Sequence, residues 1–118
     1  MTKDKHNDSK EFAVAIARIV SDNKGRNVQV IDLRGKSPAT YFFVIATSTS
    51  GRQGRSVSDE INKFAKQQGH ARFGQAGYEA GRWILLDFID VVVHIFDEEY
   101  REYYQLEKLW GDAEFLKF

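Results

Sequence analysis

The chain has 118 residues, no cysteine, and 17 Lys/Arg against 17 Asp/Glu. That length fits one domain with a core of its own, and the lack of cysteine excludes disulfide frameworks and thiolate sites. No apolar run approaches the roughly 20 residues that span a bilayer as a helix, and Met1–Lys10 is polar, so the expectation is a soluble cytoplasmic protein with no membrane role.

Residues 1–8 read as a polar tail ahead of a single domain over 9–118. Asp8 and Glu11 stand at capping-box spacing. Phe12, Ile16, Ile19 and Val20 then follow the helical period, with Gly25 as the stop. Val28–Leu33 is a strand candidate. Tyr41–Thr47 is a second, and its continuous apolar centre argues burial on both faces, hence a central position. A second helix is predicted from about Arg52 to Gln68, with Val57, Ile61, Phe64 and Ala65 on its apolar face and Gly69 at its end. The glycine-rich stretch 70–82 leaves room for one short edge strand.

Trp83–Phe96 contains two β-branched or aliphatic runs around Asp87-Phe88-Ile89-Asp90, which predicts an antiparallel hairpin. Asp97 is a natural N-cap for a final helix, with Glu98 and Glu99 favoured by the helix dipole. Tyr103, Leu106 and Trp110 would share the face that packs on the sheet, and Arg101, Tyr104, Glu107 and Lys108 would remain free. Gly111 closes that helix, and Phe115–Phe118 would pack back or fray. The order of elements predicts an α/β fold, a single-layer mixed β-sheet with helices packed on it.

Charge is unevenly distributed. Residues 1–72 carry 13 Lys/Arg against 7 Asp/Glu, and residues 73–118 carry 4 against 10. A solvated helix face accounts for this as well as a partner does, but an acidic C-terminal surface would suit a basic partner. The loop Ser48–Ser56 is an anion-site candidate through Ser50, Arg52 and Arg55 at a helix N-terminus. An N-cap and turn explain it more simply, and its glycine spacing is not that of a nucleotide-binding loop. Asp87 and Asp90 could hold Mg²⁺ in an enzyme, although two acids bounding a turn are more simply turn formers. His94 is a lone strand histidine, and no catalytic set or metal-ligand spacing can be assembled around it.

At Trp83–Trp110 the chain resembles the ribosomal silencing factor (Iojap-related) family. The match runs through Trp83, Asp87, Asp90, Val91-Val92-Val93-His94-Ile95-Phe96, Arg101, Tyr104 and Leu106-Glu107-Lys108-Leu109-Trp110. Upstream, Asp32-Leu33, Gly35-Lys36-Ser37, Phe43–Thr47 and Ser50-x-Arg52-Gln53 agree in order. The resemblance implies a nucleotidyltransferase-like topology without the catalytic set. It also implies binding to the large ribosomal subunit through its L-fourteen-type protein, with obstruction of small-subunit joining and repression of translation. Tyr41 stands where the family usually has Asp, Ser48 and Ile89 where it has Gly, and Ala76 where a Glu-Gly pair is common.

The expected function is therefore a translation repressor acting by occupancy, not an enzyme, with no cofactor, no metal and no sequence-specific nucleic acid. Its partner-binding residues would be Trp83 as anchor, Asp87, Asp90 and Glu107 as acidic contacts, and Arg101, Tyr104 and Lys108 at the rim. Self-association as a homodimer through the same sheet face is a further expectation. The alternative is a nucleotidyltransferase-like enzyme that uses the 48–56 loop and Mg²⁺ at Asp87 and Asp90, and a third reading is sequence-independent RNA binding by the basic first half, with affinity that falls steeply with salt.

Overall fold

The computed structural model describes residues 5–118, with side chains from residue 8 onward. The elements are α1 (Lys5–Asp22), β1 (Arg26–Asp32), β2 (Phe42–Thr47), α2 (Gly51–Gln67), β3 (Gly74–Ala76), β4 (Trp83–Asp87), β5 (Val91–Phe96), α3 (Glu98–Tyr104), a 3₁₀ turn (Leu106–Trp110) and β6 (Glu114–Leu116). The strands form one sheet in the order β3-β4-β5-β2-β1-β6. Only β2 and β5 run parallel, from Phe42 beside Val91 to Thr47 beside Phe96, with α2 in the crossover between them.

Strand alternation divides the sheet into two faces. Val30, Phe42, Val44, Ala46, Ile84, Leu86, Val91, Val93 and Ile95 point to the side covered by α1 and α2. There they meet Phe12, Ile16, Val20, Val57 and Ile61. Full burial of each large aliphatic side chain contributes about 1.5–3 kcal/mol. The opposite face holds a smaller core of Ile31, Leu33, Ile45, Phe96 and Ala113, capped by Tyr100, Leu106 and Trp110 from α3 and the 3₁₀ turn.

Helix ends follow local chemistry with one exchange of roles. Gly69 ends α2 at φ +80°, and His70 N–H donates to Ala65 O at 2.8 Å. At α1, Lys24 rather than Gly25 takes the left-handed conformation (φ 70°). Gly25 is required for close packing instead, because a Cβ there would strike the Val20 side chain and carbonyl.

Two expectations are corrected. Helix α1 begins at Lys5, so residues 5–8 are helical and Asp8 lies in the first turn rather than at the cap, while residues 1–4 of the expected tail lie outside the described residues. The final helix is not continuous: Gln105 adopts φ 44°, ψ 48° and donates its N–H to Arg101 O at 3.0 Å, which ends α3 and starts the 3₁₀ turn. The break takes Tyr103 off the sheet, and Tyr100 replaces it beside Leu106 and Trp110. Residues 114–116 pack back on the domain, as one of the two expected outcomes had it, by forming β6 antiparallel to β1 from Val30–Leu116 to Asp32–Glu114.

Candidate partner-binding face

The second face of the sheet is only half covered. Helix α3 and the 3₁₀ turn close the β1–β2 side, while Leu85 and Val92 belong to neither core and stay half-buried. Strand period puts Leu85 on the same face as Trp83 and Asp87. Pairing sets Leu85 opposite His94 and Asp87 opposite Val92. Phe43 lies beside Val92 on the next strand. The result is a short apolar platform with Asp87 at its hairpin end, while on α3 Glu98 and Glu99 pair with Arg26 and Arg82 and Glu102 is exposed.

Trp83 is fixed within this platform. Its indole N–H donates to His94 Nδ1 at 3.1 Å. Its ring lies 4.8 Å from the rings of both Phe96 and Tyr104. That bond makes Nδ1 an acceptor and leaves the imidazole proton on Nε2. Burial lowers the His94 pKa to about 4, so the ring is neutral at physiological pH. Its Nε2 is buried with no hydrogen-bond partner among the described residues, and the Phe43 ring stands edge-on at 4.6 Å. From Trp83 the apolar surface continues over Tyr104 to Tyr103, which is 79% exposed, and Leu109, 72% exposed, also projects from the 3₁₀ turn.

The structure separates the residues expected at the site. Trp83, Asp87 and Tyr104 lie on or beside the platform, and Lys108 is exposed on the 3₁₀ turn. Arg101 is not a rim residue. It is buried, and it donates to Glu107 Oε2 at 2.7 Å, Thr47 Oγ1 at 3.0 Å and Gln29 Oε1 at 3.1 Å. Glu107 is thereby held within the fold as the counter-ion of Arg101, because a buried guanidinium needs a carboxylate more than the solvent does. Asp87 accepts from Ile89 N–H at 2.7 Å, and Asp90 accepts from the Ser9 hydroxyl at 3.3 Å. Both acids thus stabilise the hairpin turn and its contact with α1.

The 48–56 loop is closed on itself. Ser50 Oγ accepts the Gln53 N–H at 3.0 Å, and Gln53 Oε1 accepts the Thr49 N–H at 2.6 Å, an arrangement close to a capping box. Arg55 donates to Glu79 O at 3.1 Å, whereas Arg52 is exposed. The glycines here admit protein rather than ligand: a Cβ on Gly81 would come within 2.7 Å of Gly51 Cα, and one on Gly54 would press on Ile84. Leu85, Val92, Phe43, Tyr103 and Leu109 were not named as contact residues from the sequence, and Tyr103 was expected to pack on the sheet. For Leu85 the signal was present, since it is two residues from Trp83 in the same strand.

The fold is a small α/β domain with one partly uncovered sheet face. Among the described residues no group of three or more His, Asp or Glu side chains could hold a metal, and no helix is long and apolar enough to cross a membrane. Residues 6–117 match the family described as "Ribosomal silencing factor during starvation". A protein named ribosomal silencing factor RsfS from Halalkalibacterium halodurans is 39% identical over 105 residues, covering 89% of this chain and 90% of its own. The protein of that name from Bacillus subtilis is 36% identical, covering 82% of each. A crystal structure from Chromobacterium violaceum superposes with a TM-score of 0.81 at 29% identity, over 92% of this chain and 88% of that one. One from Bacillus halodurans gives 0.78 at 34%, over 95% and 99%. The chain belongs to the ribosomal silencing factor family.

Proposed function

We propose that this chain represses translation by docking on the large ribosomal subunit, through its L-fourteen-type protein, and standing where the small subunit must arrive. It acts by occupancy and catalyses nothing. The observation that carries this reading is the uncovered strand face around Trp83, Leu85 and Val92 with the carboxylate of Asp87 at its margin. An apolar centre with a polar rim is the build of a protein interface, and negative charge suits a basic ribosomal protein. Trp83 is the anchor, Leu85 and Val92 fill the centre, and Tyr104 and Lys108 lie at the edge.

Co-sedimentation with isolated large and small subunits tests this directly. The protein should pellet with the large subunit alone. Leu85→Lys should weaken that binding at least about tenfold, because it places a cation against a basic partner and removes a central apolar contact. Equal pelleting with both subunits, or a fully active folded Leu85→Lys protein, would reject the docking face.

A further inference from the structure

At the end of α2, the helix and the loop that follows it enclose an open groove of about 430 Å³ against the hairpin. Its wall carries Lys66, His70, Arg72 and the amide of Asn62, with buried Phe88 on its floor and no carboxylate in its lining. Lys66 and Arg72 form no ion pair with any described residue. The groove is therefore a place where positive charge is left available.

Its side chains are held in position. Gln75 Oε1 accepts from both Asn62 Nδ2 (3.0 Å) and Arg72 Nη1 (2.9 Å), which ties the two across to the edge strand β3. The His70 ring stacks on Phe12 at 3.7 Å with 6° between planes. Asn62 Oδ1 has no hydrogen-bond donor among the described residues. Immediately after Arg72, Phe73 is 75% exposed, although its N–H is fixed to Asp87 O at 2.7 Å. Phe73 stands outside the groove's lining but directly follows Arg72 in the chain, and an exposed aromatic on an ordered backbone next to available positive charge is the arrangement that grips unpaired nucleotides.

We propose that this groove binds single-stranded RNA, with phosphates on Lys66 and Arg72 and a base stacked on Phe73. The RNA is a segment of the large subunit only insofar as the docking reading above holds; the groove itself does not depend on it. The groove lies on the α2 side of the hairpin, so an RNA strand there leaves the Trp83–Leu85 face free for a protein.

The test is fluorescence anisotropy of the full chain with a labelled oligouridine of about 12 nucleotides, from about 50 to 200 mM salt. Lys66→Gln/Arg72→Gln should weaken binding at least about tenfold and reduce the logarithmic salt slope by about 1.4, two phosphates at roughly 0.7 each. Phe73→Ala should weaken binding about tenfold with the slope unchanged, because stacking releases no counterions. All three side chains are exposed, and unchanged thermal melts verify folding. Absence of binding at low salt, insensitivity to these substitutions, or equal competition by polyglutamate would overturn the assignment. Leu85→Lys should leave oligouridine binding intact. Loss of subunit pelleting with retained oligouridine binding would therefore count against the docking face alone, and the reverse against the groove alone.

Discussion

Leu85 and Leu86 are neighbours in one strand and live in different environments. Leu86 faces α1 and α2 and is fully buried, while Leu85 faces the side that no helix covers at that point. The two faces are built differently throughout. The helix-covered face is apolar and closed. The other is held by polar ties, Trp83 to His94 and Arg101 to Glu107, and is left bare between them. The sheet thus keeps its stability on one side and its contact surface on the other, and the strand period lets each residue serve one purpose without compromising its neighbour.

The contrast is easiest to break at that leucine pair. Leu86→Ala should cost about 4 kcal/mol by leaving a cavity, and Leu85→Ala about 1 kcal/mol or less. Urea denaturation of both variants measures the difference, and equal losses would mean that the second face is as closed as the first. The next largest effect belongs to His94. The unfolded chain takes up a proton near the usual value of 6.5, but the folded chain resists protonation until about 4. Its contribution is therefore full above pH 6.5 and is lost as pH falls toward 4, by roughly 3 kcal/mol. His94→Gln should flatten the fall in stability between pH 6.5 and 5; an unchanged profile would assign the acid sensitivity to other groups.

Removing the guanidinium in Arg101→Met leaves Glu107 partly buried without its counter-ion and should cost about 2 kcal/mol, much of it recovered in Arg101→Met/Glu107→Leu. A double-mutant cycle reads that coupling, and additive losses would disprove it. The smallest effect is expected at the hairpin. Ile89 occupies φ 72° where its β-branched side chain is disfavoured. Ile89→Gly should raise stability by up to about 1 kcal/mol, after allowance for the greater freedom of glycine in the unfolded chain. A lower melting temperature would show that the exposed isoleucine makes a compensating contact.

Local patterns made much of this legible. The continuous apolar run of Phe42–Ile45 marked a central strand, Asp97 marked a helix start, and Trp83-Ile84-Leu85-Leu86 already held the division between faces. What escaped was decided at long range. Glutamine is a good helix former, so nothing local at Gln105 signals a left-handed break. Arg101 looked like a surface cation because its partners Thr47 and Gln29 are 54 and 72 positions away. The three-residue β6 exists through pairing with β1, and no period can be read over so short a stretch. The groove residues escaped for another reason: Lys66, His70 and Arg72 are unremarkable one at a time, and only the turn at Gly69 brings them around one cavity.

The parallel register of β2 and β5 also has a kinetic consequence. These two strands form the middle of the sheet, yet α2, β3 and β4 all lie between them in the chain. Their pairing closes a long loop and must meet that entropy before most of the core is in place to reward it. The hairpin β4–β5 and the antiparallel pair β1–β2 are local and can form early, so their union is the slow event. Until then each half exposes an edge capable of pairing wrongly, and α2, which spans the gap, is the element whose docking commits the chain to its native topology.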